Sequence, residues 1–130
     1  MKRDAAYVYV VGWRVDGPTK IGVAQHVPHR MESLQNGCPY QLQAFAMFWC
    51  LNAYVLEAAV LKDMSPDALV GEWVDIPAAA VERRVGEVAK RIGLHIEKRL
   101  PRKSFNRTVI RQIRRREHAA MAELRHLRNA

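Results

Sequence analysis

The strongest constraint on the fold is a run of β-branched and aromatic residues near the start of the chain, AAYVYVVGWR at residues 5–14. Residues of these types fit a pleated, buried surface, so the run predicts a strand. Asp16-Gly17-Pro18 supplies a turn. TKIGVA at residues 19–24 then predicts a second strand that pairs back on the first. The chain therefore begins with a mostly apolar β-hairpin.

Three helices are predicted between this hairpin and residue 93. Pro28 can begin the first helix at its first turn, and Gly37 can end it. Asn52 is a candidate N-cap for the second helix, which extends to about Met64. Pro77 suits the start of the third helix.

The third helix has the clearest amphipathic pattern. Its apolar residues are spaced four, three and four apart, which places them on one face: Val81, Val85, Val88 and Ile92. Gly93 follows as a suitable residue to end the helix. The pattern predicts a helix that packs this face against the rest of the protein.

Three further segments complete the predicted order of elements. Residues 41–50 first alternate polar and apolar residues and then become wholly apolar, which predicts a third, central strand. Residues 71–76 form a short extended piece, and residues 94–104 form a basic connector. Strands beside helices define an α+β class. We expect a small, mostly antiparallel three-stranded sheet flanked by helices, with a basic helix at the C-terminal end.

Length and composition favour one compact intracellular domain. A chain of 130 residues with 49 % hydrophobic residues can form one core. Cys38 and Cys50 are too few for a disulfide framework or a four-cysteine zinc site. The longest apolar run, residues 44–51, is far shorter than a membrane span, and the first residues contain no secretory signal. We expect a cytoplasmic protein without a membrane segment.

The net charge of +8 is confined to one part of the chain. Residues 1–98 contain 11 Lys and Arg and 11 Asp and Glu, so their charges balance. Residues 99–130, called the basic tail below, contain 10 Lys and Arg and 2 Asp and Glu, which gives 10 − 2 = +8. A neutral body with a basic arm indicates a polyanionic partner.

The basic tail predicts a long helix that contacts phosphates. Nine of its ten basic residues are arginines, which suit phosphate geometry, although charges on a helix are also often only solvated. The helix is expected from residue 105 or 106 to about Arg128, and its apolar stripe either docks on the body or pairs with a second copy in a homodimer. The predicted nucleic-acid-binding residues are Arg102, Lys103, Arg107, Arg111, Arg114 and Arg115.

Residues 6–76 contain an ordered set of short motifs. Tyr7-Val8-Tyr9 is followed, after ten residues, by Lys20-Ile21-Gly22. Arg30 follows on the first helix, Glu57 on the second, and Gly71-Glu72-Trp73 comes last. With these gaps, the set resembles the GIY-YIG nuclease superfamily, and within it the phage-type DNA-binding subgroup that has KIG in place of YIG.

The resemblance implies a division of the chain and a set of catalytic residues. Residues 1–76 would be the GIY-YIG-like domain, residues 77–98 a packing helix and connector, and residues 99–130 the DNA-binding tail. Tyr9, Lys20, Arg30 and Glu57 would be catalytic in DNA hydrolysis. Glu57 would hold Mg²⁺ or Mn²⁺, because one carboxylate with waters and a substrate phosphate suffices for Mg²⁺. Arg30 would bind the phosphate and Tyr9 would orient or deprotonate the attacking water.

Two departures from the family pattern leave alternatives open. Lys20 replaces the tyrosine of YIG, where it could lower the pKa of Tyr9, bind phosphate or indicate weakened catalysis. The family's asparagine is missing near residues 70–76, and Glu72 is the nearest polar residue. The alternatives to a nuclease are therefore a DNA-binding module that does not cut, and a basic RNA-binding protein.

Overall fold

The protein is described by a computed structural model that covers residues 5–99, 115 and 118–128. Its elements, in chain order, are β1 (Ala5–Gly12), β2 (Thr19–Ala24), α1 (Val27–Asn36), β3 (Gln43–Leu51), α2 (Ala53–Asp63), a 3₁₀ turn (Ser65–Asp67), β4 (Trp73–Val74), α3 (Ala78–Ile92) and β5 (Ile96–Arg99). Residues 118–128 are helical as well, and all of them are exposed. None of the helices in these ranges combines the length and apolar character needed to cross a bilayer.

The described strands form one antiparallel sheet in the order β4-β2-β1-β3-β5. The predicted α+β class is confirmed, but the sheet has five strands where three were expected. The added strands are the short extended piece, which pairs with β2, and part of the basic connector, which pairs with β3. The central position belongs to β1, and β3 lies between β1 and β5.

β5 was missed in the sequence because its charged residues lie on an edge strand. Lys98 forms an ion pair with Glu82 of α3 at 3.3 Å, so its charge is balanced at the surface. The guanidinium of Arg99 lies over the rings of Tyr7 and Trp49 and donates a hydrogen bond to the Tyr7 hydroxyl at 2.7 Å. Charged residues are a common feature of edge strands, which they protect from pairing with other chains.

The two faces of the sheet carry separate apolar clusters, because neighbouring side chains of a strand point to opposite faces. Val8 and Val10 of β1 lie with α2 and α3 on one face. Tyr9 and Val11 lie with α1 on the other. The alternation of β1 thus fixes which face carries the phenol of Tyr9.

The predicted face of α3 is confirmed at three of its four positions. Val81, Val85 and Val88 are fully buried, whereas Ile92 is 39 % exposed and Ala89 is buried in its place. The helix ends at Ile92 because Gly93 adopts a left-handed conformation, with φ of 75°. The last predicted residue of the face therefore lies at the solvent-facing end of the helix.

The starts of α1 and α2 follow the predicted signals. Pro28 lies in the first turn of α1, and Gly37 ends that helix. Asn52 occupies the N-cap position of α2, but its side chain makes no capping hydrogen bond. Its backbone instead adopts a left-handed conformation with φ of 63°, which Asn tolerates better than most residues.

Candidate active site

All four predicted catalytic residues line one cleft. We call it the reaction cleft because the resemblance implies catalysis by these residues. It has a volume of about 200 Å³ and is lined by Tyr9, Lys20, Val23, Arg30, Leu34, Tyr54, Glu57 and Glu72. The four residues come from four different elements, namely β1, β2, α1 and α2. Their meeting depends on the tertiary fold, since 48 residues of sequence separate Tyr9 from Glu57.

The strand register places the first two motifs side by side. Tyr9 of β1 is the direct partner of Gly22 in β2, and Lys20 lies two residues before that glycine on the same face. On β2, β4 pairs with Thr19 and Lys20, so within the described residues the later part of β2 has no strand neighbour on that side. Val23, from this later part, lines the cleft together with Tyr54 and Glu57 of α2.

Gly22 is required because the ring of Tyr9 lies directly over it. A Cβ atom placed on Gly22 would be 2.1 Å from the Tyr9 hydroxyl oxygen and 2.2 Å from the carbon that bears it. Both distances are far inside van der Waals contact. The glycine of the KIG motif therefore provides the space that the phenol occupies.

The resemblance implies that this cleft cleaves DNA, and on that expectation Gly22→Ala should lower the cleavage rate by about 10- to 100-fold, because a small displacement of a reacting group has a cost of this order. Overpacking should also destabilise the fold by about 1–3 kcal/mol. Gly86→Ala is the matched control, since a Cβ on Gly86 of α3 meets no atom within 4 Å. It should leave cleavage unchanged and slightly stabilise the helix. Single-turnover cleavage and urea unfolding measure both effects, and wild-type cleavage by Gly22→Ala would show that the position of Tyr9 is unimportant.

Burial raises the pKa of Tyr9 to about 12, with the carboxylates of Glu72 and Glu57 acting in the same direction and Arg30 opposing them. The side chain is only 2 % exposed. The cation that opposes this rise in the pKa of Tyr9 is Arg30 rather than Lys20. At neutral pH the phenol is protonated and can donate or accept a hydrogen bond.

The pKa of Glu57 is also raised, first by burial and then by the nearby carboxylate of Glu72, while Lys20 and Arg30 lower it. Two carboxylates that face one small cleft disfavour each other's charge, and a bound cation relieves this repulsion. No group of three or more His, Cys, Asp and Glu within the described ranges is arranged to hold a metal ion. Mg²⁺ does not need such a group, because it commonly binds through one or two carboxylates, waters and substrate phosphates.

Lys20, at the start of β2, forms an ion pair with Glu72. Its ammonium group lies 3.2 Å from Oε2 of Glu72, and its side chain is 13 % exposed. The amide of Ile21 also donates a hydrogen bond to the carbonyl oxygen of Glu72, at 3.4 Å. Glu72 thus lies in the cleft, ion-paired with Lys20.

Arg30 is exposed on the first half of α1, where it faces the cleft without being enclosed. His26 and His29 lie at the start of the same helix and are exposed, as their positions predict, and Nδ1 of His26 accepts a hydrogen bond from the amide of His29 at 3.2 Å. These histidines line a neighbouring depression together with Arg30 and Tyr54. This depression extends the polar surface on one side of the reaction cleft.

Tyr54 is a polar residue of the cleft that the sequence did not indicate. It lies three residues before Glu57 on α2 and is 58 % exposed. Residues three apart on a helix are neighbours on its surface, so the position of Glu57 could have indicated it. An exposed tyrosine without a motif around it gives no other signal.

The predicted nucleic-acid-binding residues lie mostly outside the described residues. These are Arg102, Lys103, Arg107, Arg111 and Arg114. Arg115 is described, and it is helical and exposed. In the helix 118–128, Leu124 and Leu127 of the predicted apolar stripe are 55 % and 65 % exposed, and Met121 is 54 % exposed, so the described part of the stripe is not buried against the body.

Comparison with known proteins identifies a family. No curated protein and no solved structure matches the chain. The family model of the T5orf172 domain matches residues 6–93, a range that contains every residue lining the reaction cleft. The chain therefore belongs to the T5orf172 domain family, a phage-associated family of nuclease-related domains.

Proposed function

We propose that the protein is a DNA-binding endonuclease of the GIY-YIG type that hydrolyses phosphodiester bonds with Mg²⁺ or Mn²⁺. The observation that carries this proposal is the convergence of Tyr9, Lys20, Arg30 and Glu57 in one cleft. Their elements are separated in sequence, and the motif order indicated the residues independently of the fold. Membership of a nuclease-related domain family supports the same reaction class.

Binding of the scissile phosphate is assigned to the two cations of the cleft. Arg30 is exposed, and its guanidinium can donate two parallel hydrogen bonds to a phosphate. Lys20 is held 3.2 Å from Glu72, so it contributes charge at a fixed position. Fixed positive groups aimed at developing negative charge stabilise the transition state without reorganising.

The metal ion is assigned to Glu57, with Glu72 as the second carboxylate of the cleft. Oxygen ligands of this kind suit Mg²⁺ and Mn²⁺. The ion, when bound, would neutralise charge on the phosphate and polarise the P–O bond. The carboxyl group of Glu57 is partly removed from water, and this strengthens electrostatic interactions at the site.

Tyr9 is assigned to the attacking water. Because its pKa is about 12, the phenol stays protonated near neutral pH and positions the water by hydrogen bonding. Gly22 and the β1–β2 register hold the ring in place. Lys20 and Arg30 would stabilise the negative charge that develops on the phosphate as the water attacks. The proton of the water would pass to a non-bridging oxygen of that phosphate, because the protonated Tyr9 cannot accept it.

The basic tail is proposed to hold DNA by its phosphate backbone. If about six of its arginines contact phosphates, the logarithm of the affinity should fall with the logarithm of salt concentration with a slope of about −5. The exposed apolar residues of the helix 118–128 leave a surface with which a second copy could pair, and we propose a homodimer on this ground. Arg115 lies in the described helical part of this tail.

Supercoiled plasmid tests the proposal directly. The purified chain is incubated with plasmid at low salt in Mg²⁺, in Mn²⁺ or in EDTA, and binding is measured in the same samples by gel shift. Conversion to nicked or linear DNA only in the presence of metal supports the nuclease. Tight binding without cleavage in either metal contradicts it.

The second candidate function is a DNA-binding module that does not cut. It is favoured by the raised pKa of Tyr9 and by the pairing of Lys20 with Glu72, since both leave the site short of a base at neutral pH. The same plasmid experiment separates the two candidates. A preference for RNA over DNA in a competition gel shift would instead indicate the RNA-binding alternative.

A further inference from the structure

A second, larger cleft lies beside the reaction cleft and is lined mainly by apolar residues. Its volume is about 570 Å³, within the usual range for small-ligand sites. Trp13 is at its centre, stacked on Tyr40 with 4.9 Å between ring centroids and tilted against Trp73 at 5.3 Å. We call it the aromatic cleft.

Both walls of the aromatic cleft are fixed by hydrogen bonds. The buried amide of Gln35 donates to the carbonyl oxygen of Tyr40 at 2.8 Å and accepts from the amide of Leu42 at 2.8 Å. On the other side, the amide of Leu69 donates to the carbonyl oxygen of Trp73 at 2.8 Å. The cleft is therefore preformed, which lowers the entropic cost of binding.

The lining residues nonetheless remain open to solvent. Tyr40 is 54 % exposed, and Leu69 and Val70 are 48 % and 86 % exposed. The rings and aliphatic side chains of the cleft are therefore accessible to a ligand. Aromatic rings among them favour a flat, apolar ligand group over an aliphatic one.

The aromatic cleft is continuous with the reaction cleft. Lys20 and Leu34 line both, and the ammonium group of Lys20 lies 6.0 Å from the ring centre of Trp73. A ligand that extends from one cleft into the other would thus place negative charge at Lys20 and Arg30 and a flat group at Trp13. A nucleotide has this combination, with a phosphate at one end and a base at the other.

We propose that the aromatic cleft binds an unstacked base of the DNA strand whose phosphate lies in the reaction cleft. This inference rests on the proposed function, because it takes the reaction cleft as the phosphate site. A base inside a duplex cannot reach a side pocket without leaving its stack, and this costs least where the base is already unpaired. The protein should therefore favour DNA that contains an unpaired nucleotide over fully paired DNA.

Paired binding measurements test this inference. A labelled duplex with one unpaired adenosine and the same duplex fully paired are titrated with the full chain in EDTA, so that no cleavage occurs. The wild type should bind the first duplex at least about tenfold more tightly, since stacking on an aromatic side chain is worth this much or more. Fluorescence of the cleft tryptophans should be quenched by the first duplex and not by the second.

Two variants and one control locate the effect. Trp13→Ala and Tyr40→Ala should each reduce the preference by about fivefold or more while leaving affinity for paired DNA unchanged. Tyr40 is exposed, so its replacement keeps the test valid if Trp13→Ala fails to fold. Val55→Ser is the control, because Val55 is 58 % exposed on α2 and lies outside both clefts.

Three results would overturn the inference. The first is equal affinity of the wild type for the two duplexes, and the second is a preference that both cleft variants retain. The third is a change in cleft tryptophan fluorescence in Leu124→Ser without DNA, which would show that the tail helix fills the cleft. If the chain cuts plasmid but does not prefer DNA with an unpaired nucleotide, this inference is wrong and the proposed function stands. If the wild type has the preference and both cleft variants lose it, this inference is supported even if the chain does not cut.

Discussion

Replacing Glu57 by Gln is expected to lower metal-dependent DNA cleavage by at least about a hundredfold. Glutamine keeps the size of the side chain but removes the negative charge that is proposed to hold the cation, and a catalytic metal is worth several kcal/mol in the transition state. Gel-shift affinity in EDTA should stay at the wild-type level, because the phosphate contacts are assigned to Arg30, Lys20 and the basic tail.

The same substitution should stabilise the protein. The folded-state pKa of Glu57 is raised, so the folded protein binds more protons than the unfolded chain as pH rises from the ordinary glutamate value to the raised one. The free energy of unfolding therefore falls across this window, and the ionised side chain destabilises the fold at neutral pH. Glu57→Gln removes this cost, and we expect Tm at neutral pH to rise by about 1 to 4 °C.

A matched control is available on α3. Glu87 is 61 % exposed and makes only a 3.8 Å ion pair with Arg84. Glu87→Gln should change neither cleavage nor Tm by a measurable amount, since exposed ion pairs contribute little. Differential scanning fluorimetry across pH compares the three proteins, and a lower Tm for Glu57→Gln would contradict the electrostatic description of the cleft.

Replacing Tyr9 by Phe is expected to lower the cleavage rate by about two to three orders of magnitude, because one positioned hydrogen bond in an active site is worth this much. Phenylalanine preserves the buried ring over Gly22 and removes only the hydroxyl that is proposed to orient the water. Stability should change little, and DNA affinity should be unaffected because Tyr9 is 2 % exposed. Single-turnover cleavage at saturating protein separates the chemical step from binding.

The pH profile distinguishes two roles for Tyr9. With a pKa of about 12, a phenol that only orients water contributes no change in rate at neutral and mildly alkaline pH. A phenolate base would instead make the rate rise tenfold for each pH unit throughout this range. We expect the first profile in the wild type, and a steady tenfold rise that is lost in Tyr9→Phe would contradict the assignment of Tyr9 as a neutral hydrogen-bonding group.

The hairpin and the helices could be predicted from sequence because their signals are local. The apolar run of β1 indicates a buried strand. A buried helix face is likewise indicated by the spacing of Val81, Val85 and Val88. The four proposed catalytic residues could be named because a motif order fixes residue types at fixed gaps. Their meeting in one cleft depended on the β1–β2 register and on α1 and α2, which the sequence indicated only through the resemblance.

The features that could not be predicted depend on contacts between distant segments. The sequence placed Lys98 and Arg99 in a basic connector. They form an edge strand because they pair with β3, which is distant in sequence. The rise in the pKa of Tyr9 comes first from burial and then from the carboxylates of Glu72 and Glu57, which distant segments bring to it, so its direction could not be assigned from composition. The aromatic cleft brings Trp13, Tyr40 and Trp73 together from three separate segments, and no local pattern links them.

The most direct test of the account is single-turnover cleavage of DNA as a function of Mg²⁺ concentration, with wild type and Glu57→Gln compared at saturating protein. Gel shifts in EDTA first establish that both proteins bind the same DNA to the same extent. The account predicts a cleavage rate that rises and saturates with Mg²⁺ in the wild type and stays near zero in Glu57→Gln. Equal rates in the two proteins, or no cleavage by the wild type at any Mg²⁺ concentration, would contradict it.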